Sequence, residues 1–341
     1  MSTVTPPDAP ESDADPTPAE IRKMLSSASL STKRRVRNTG ASIAMVLTFL
    51  IAAVPLVFMG TSVVSQGIGV VMSADWWTQP IPGDVGRSDL AGNEDLCGLG
   101  FGDTAECESG GSTTTVVEGM QPAIVGTFLT VFGASVLAIP LGIMGAVYLN
   151  EYGKTGRLAQ FIRFMTDVMV GVPSVVMGVF VYSIWVVRFG TSGKSAFAAS
   201  LALGCLMLPI VVRSTEEMLK LVPNSLREAS AALGTRTWKT TVSVVLPAAI
   251  AGITSGCLLA VARAAGETAP VVFTIGFVTT TNLSMRGQNT TLSAQIYSQL
   301  QNGGTIATQL AWGAAVTLVV IVLVLTLAAR GISKRFAIVG S

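Results

Sequence analysis

Long apolar runs alternate along this chain with short polar connections, and the lengths of the runs set the first expectation. A helix that crosses a bilayer needs about 20 predominantly apolar residues. Residues 41–60, 123–149, 168–187 and 307–327 meet that length without a charge. Residues 248–274 meet it apart from two ions, Arg263 and Glu267, and 196–212 lies at the short end. The pattern predicts an all-α polytopic membrane protein with six transmembrane helices. The stretches between the runs divide the rest. Residues 1–38, rich in Pro, Ser, Asp and Glu, read as a disordered cytoplasmic tail. A first transmembrane helix over 39–64 leads to an extracytoplasmic loop over 65–118. Five further helices occupy 119–335, and 336–341 form a short cytoplasmic C-terminus. Pro140, Pro173, Pro209 and Pro270 fall inside the runs. Membrane helices tolerate such breaks where neighbouring helices or a cavity satisfy the freed backbone groups.

Composition agrees with this class. Half of the 341 residues are hydrophobic and 12% are charged, against about 25% charged in an ordinary soluble domain; the mean hydropathy is +0.60. The net charge of +2 carries little information, but its placement carries more. If the first helix runs outward, 16 Lys and Arg face the cytoplasm and four face outside, with Arg213 and Arg263 at or inside the membrane. The positive-inside rule then puts both termini in the cytoplasm. The basic cluster at 33–37 is followed by an apolar run without a small-x-small cleavage site, so the first helix is expected to be retained. The chain has no histidine, which excludes imidazole acid–base catalysis and imidazole metal ligation. Cys205 and Cys257 lie in apolar runs, while Cys97 and Cys107 lie in the outer loop, where a disulfide is allowed.

Two local patterns carry no chemistry. GTSGKS, from Gly190 to Ser195, ends like a phosphate-binding loop, but Arg188 stands where the first glycine is required. It is expected to be a polar turn. Gly252 and Gly256 make a G-x-x-x-G suited to close helix packing within the protein.

The connection from Val222 to Ala249 is more ordered. Ser225-x-x-Glu228 has the spacing of a capping box, and Gly234 sits where a left-handed residue ends a helix. A helix over 225–234 follows, with Ala229, Ser230, Ala232 and Leu233 offered to a partner. A surface helix that merely joins two spans is the competing reading.

Arg263 and Glu267 raise a sharper question. Arg263 lies about 16 residues, ~24 Å, beyond Pro247 along a helix. Facing lipid there costs at least about 2.5–3.5 kcal/mol, and arginine cannot escape by losing its proton. It must face a cavity or the bundle interior, with Glu267 at i+4 as its partner. Arg213 stands at the inner end of the fourth run. Two guanidinium forks suit a tetrahedral oxyanion, and partial neutralisation by Glu267 lets a translocating anion leave again. The competing readings are a buried ion pair that fixes helix packing and an arginine that snorkels to the interface.

The pattern Glu228-Ala229, then Gly234, then Val244-x-Leu246-Pro247 resembles the EAA loop of ABC-importer permeases, with Ser230 and Val244 replacing the usual alanine and isoleucine. LPIVVRSTEE around Arg213, R-x-x-GETAP around Arg263 and VGTFLTVFGASVLAIPLGIMGAVYLNEY in the second run look like the A-type permease of the phosphate-specific ABC importer. Ala269-Pro270 favours the A-type over the C-type. That resemblance covers roughly 119–335 and implies a type I ABC-importer permease core in a bacterial plasma membrane. It implies inorganic phosphate as substrate and alternating access as mechanism, with permease for sulfate or molybdate, or a membrane phosphate sensor, as alternatives. It implies three kinds of partner besides the lipid bilayer: a C-type permease, two ABC ATPase subunits, and an extracytoplasmic phosphate-binding protein. ATP and magnesium would be bound by the ATPases. The chain itself is then a transport subunit and no enzyme, without cofactor, metal or nucleic acid. Glu228, Ala229, Gly234, Leu246 and Pro247 are implied in ATPase coupling, and Arg213, Arg263 and Glu267 in the substrate pathway.

Overall fold

The computed structural model describes residues 32–82, 119–153 and 156–337. Among them every regular element is helical. Five helices are long and apolar enough to cross a membrane, and a bent pair makes a sixth candidate. The chain divides into two units, 1–61 and 62–341. The first contributes the start of α1 (Thr32–Val71), a single apolar helix that accommodates Pro55.

In the second unit α1 runs on to Val71, so the outer loop does not begin at residue 65. The short α2 (Ala74–Thr78) follows, and its Trp76 is fully buried. The indole Nε1 donates to Thr317 Oγ1 at 2.9 Å, and the backbone of Gly313 lies against the ring. Residues 73–82 are therefore anchored structure, which a purely polar reading of 65–118 misses. Cys97 and Cys107 lie outside the described residues.

α3 (Gln121–Gly153) and α6 (Ala196–Leu221) form the most extensive helix pair. Ala134, Ala138, Gly142 and Ala146 recur every fourth residue of α3 and are buried. Small side chains on one stripe let two backbones approach closely, the main source of helix association in lipid. A methyl group on Gly142 would come within 2.6 Å of Val211. Ser200 Oγ donates across the same seam to the Thr130 carbonyl at 3.0 Å.

The expected third span, 168–187, is not one helix. α4 (Arg157–Gly171) and α5 (Ser174–Phe189) meet at 105°. Pro173 lacks an N–H and forces the preceding residue out of the helical region; Val172 adopts φ −72°, ψ 130°. The expected fifth span, 248–274, also ends early. α8 (Thr237–Ala265) stops at Ala265, and Pro270 starts the separate α9 (Ala269–Thr274), where its missing donor does no harm. GTSGKS forms a tight turn, with Ser195 capping α6 by accepting from Ala198 N.

The connection 275–306 contains α10 (Leu292–Asn302), N-capped by Thr291. Asn289, Thr290, Ser293, Gln295 and Gln299 are buried around it. Its start is tied to α3 by Leu292 N donating to Thr127 Oγ1 at 3.0 Å. α11 (Thr305–Ala337) closes the core beside α8.

Candidate functional site

α6 and α8 are antiparallel, and glycines fix their register. The backbone of Gly252 lies against Met218 and that of Gly256 against Ser214, so G-x-x-x-G packs within this chain. Continuing that register sets Arg263 level with Met207. Arg213 therefore lies about six residues, ~9 Å, from Arg263 along the bundle. The two arginines sit at successive depths.

Arg263 occupies the last turn of α8, where a cation complements the helix carbonyls. Its Nε is 3.5 Å from Glu267 Oε1. Glu267 belongs to the break between α8 and α9, and its carbonyl accepts from Ser293 Oγ on α10 at 3.1 Å. Of the two surroundings expected for Arg263, a cavity or the bundle interior, the interior of this chain is not the one it takes: 69% of its side chain is exposed. The flanking Ala262, Ala264 and Ala265 fill the inward face instead. Arg213 is half exposed and is paired with Asp167 on α4, a residue the sequence reading did not single out.

One helical turn from that pair, Arg163 of α4 meets Glu216 of α6 at 2.9 Å, and Lys220 meets the same carboxylate at 2.9 Å. Arg163 also donates to the Leu149 carbonyl at 2.9 Å. The signal was present as Arg163 and Asp167 at i, i+4 opposite Arg213, Glu216 and Lys220 at i, i+3, i+7. Only the antiparallel packing of α4 on α6 shows which meets which.

The cytoplasmic connection forms α7 (Asn224–Ala232). The expected capping box is absent: Pro223 is the N-cap and no side chain caps the helix. Proline fixes the entry angle, so the serine falls inside the first turn. Gly234 does adopt a left-handed φ of 73°, and Leu233 is 83% exposed. Glu228, Ala229 and Ala232 are exposed with it, but Ser230 is buried. Its hydroxyl bonds to Thr235 at 2.6 Å and Thr240 at 2.8 Å, binding α7 to the start of α8. Leu246 packs at the edge of the core, and Pro247 follows in the same continuous helix.

Arg227 makes α7 rigid with respect to the spans. Its guanidinium accepts none and donates to the Leu219 carbonyl at 2.9 Å and the Val222 carbonyl at 2.7 Å, capping the end of α6. It also meets the buried Glu151 of α3 at 3.0 Å. A cavity of about 350 Å³ lies beside this clamp, lined in part by Asn150, Lys220, Thr235 and Thr240. Arg227 thus ties α7 to both α3 and α6.

Residues 138–338 match the family model described as "Binding-protein-dependent transport system inner membrane component". The chain is 41% identical over 301 residues to "Phosphate transport system permease protein PstA 1" of Mycobacterium tuberculosis (strain ATCC 25618 / H37Rv), covering 88% of each. It is 41% identical over 294 residues to the PstA of Mycobacterium leprae (strain TN), covering 86% of this chain and 87% of that one. Among solved structures, a bacterial ABC transporter involved in the import of the acidic polysaccharide alginate aligns with a TM-score of 0.54. The identity is 14%, covering 89% of this chain and 98% of that one. At that identity the likeness speaks for the fold.

Proposed function

The chain belongs to the binding-protein-dependent transport system inner membrane components, and within them to the PstA phosphate permeases; from that premise we propose that phosphate crosses the membrane along a face bearing Arg213, Arg263 and Glu267. The protein is a multi-pass plasma-membrane permease subunit of a phosphate ABC importer, and it is not an enzyme. ATP and magnesium are held by partner ATPases, and an extracytoplasmic binding protein delivers the anion.

One observation carries the assignment of the route. Two arginines of the membrane-spanning helices point off the surface of this chain, one of them 69% exposed. Lipid cannot cover that face, because arginine near the bilayer centre costs at least about 2.5–3.5 kcal/mol. A second permease subunit, of the C-type, covers it and leaves a wet path between the two chains. Each guanidinium meets a carboxylate, so the lining is nearly neutral and the anion is bound weakly enough to move on.

Below the route, α7 docks on an ATPase through exposed Glu228, Ala229 and Leu233, with Gly234 setting the exit of the helix. Leu246 and Pro247 support that surface from α8. Closure of the ATPase pair moves α7, and the Arg227 clamp carries the motion to α3 and α6, alternating access to the arginines. Both termini lie in the cytoplasm, as the distribution of basic residues requires.

The test is phosphate uptake by the complete transporter with Arg263→Gln. Uptake is expected to vanish while the permease pair and ATPases still co-purify. Normal uptake by an assembled variant would remove Arg263 from the route. Transport saturated by sulfate or molybdate instead of phosphate would replace the substrate.

A further inference from the structure

The α4–α6 seam carries two ion pairs of opposite polarity, one turn apart, and they are built differently. In the inner pair Glu216 is buried, with 5% of its side chain exposed, and it is held by both Arg163 and Lys220. Arg163 is further fixed by the Leu149 carbonyl. Such a closed network is a strut. In the outer pair Arg213 and Asp167 are each half exposed. Among the described residues, Asp167 is the sole partner of Arg213, and it engages one terminal nitrogen. The remaining N–H donors of that guanidinium are open.

We propose that Asp167 is the resident counter-anion of Arg213: phosphate displaces its carboxylate on arrival, and the carboxylate reclaims the guanidinium to expel phosphate. This rests on Arg213 lying on the substrate route. The physical reason is that a guanidinium fork presents parallel donors to one oxyanion at a time on each edge. A carboxylate tethered to α4 competes with the substrate at a fixed, high local concentration. The competition keeps the membrane site weak, so the anion neither lodges at Arg213 nor leaves the cation bare in a low-dielectric wall. Asp167 is a positioning residue, acting through Arg213, and α4 is its carrier. The sharp bend at Pro173 makes this possible by turning α4 across α6 and bringing Asp167 to the level of Arg213.

The experiment uses the purified complex of both permeases and ATPases without the binding protein, titrated with inorganic phosphate, and proteoliposome uptake with the binding protein restored. Asp167→Asn is expected to bind phosphate about tenfold more tightly, an effect between that of a contact charge in water and that of one near a protein surface, and to turn over more slowly at saturating phosphate. Asp167→Glu keeps the charge and is expected to bind as the wild type does. In an Arg213→Gln background Asp167→Asn is expected to change nothing further, the signature of action through Arg213. Unchanged or weaker binding by Asp167→Asn overturns the proposal. So does loss of assembly by Asp167→Asn while Asp167→Glu assembles, which makes the carboxylate a strut. If Arg213→Gln transports normally, it is the route itself that fails, a result distinct from a silent Asp167→Asn beside a dead Arg213→Gln.

Discussion

Glu216 shows how strictly single residues are specified here. It is a buried carboxylate between two cations, and removing its charge takes from Arg163 and Lys220 the counter-ion they share. Glu216→Gln is expected to destabilise the protein by about 1–3 kcal/mol, measured as a lower unfolding midpoint of the purified complex. The conservative Lys220→Arg should leave that midpoint nearly unchanged. Arg263 behaves in the opposite way, since it is exposed and weakly held at 3.5 Å from Glu267. Its replacement is expected to cost transport and not stability. Both arginines proposed for the route were legible in the sequence, Arg263 as a charge inside an apolar run and Arg213 as one at the end of a run. Asp167, Arg163 and Glu151 were not, because a charge next to a span has no assigned partner until helices are placed side by side.

At the scale of elements, helix breaks make the two largest departures from a simple six-run reading. Pro173 breaks the third span by forcing Val172 out of the helical region, whereas the fifth stops at Ala265 and Pro270 stands in the first turn of the short helix beyond the break. Pro209, in contrast, is absorbed within α6. Sequence alone does not separate these cases, because tolerance depends on what packs beside the freed carbonyl. The cytoplasmic helix α7 is another mixed case. Its glycine exit is found as expected, while the capping box gives way to Pro223 and Ser230 turns inward to Thr235 and Thr240. Gly234→Val forces a β-branched residue to a φ of 73°, a conformation costing roughly 1–2 kcal/mol for an ordinary side chain. It is expected to weaken ATPase association and uncouple ATP hydrolysis from uptake. Unchanged co-purification and transport would refute docking through α7.

For the whole molecule, orientation and sidedness are the testable quantities. In a background lacking the four native cysteines, a cysteine at Leu283 is expected to react with a membrane-impermeant maleimide on intact cells. One at Leu233 should react only after permeabilisation; both positions are well exposed. Labelling in the reverse order would invert the topology. The sequence by itself determined the class, the approximate spans, the family and the presence of charges that lipid cannot accommodate. Those follow from local quantities: the length of apolar runs, the sign of flanking charge and the spacing of short motifs. Only the tertiary structure decided that Arg263 faces away from its own bundle, that Arg213 is met by Asp167, and that Arg227 ties α7 to α3 and α6. Each of those depends on which face of one helix meets which face of another, and residues 46 to 76 positions apart become neighbours only when the small-residue seams close.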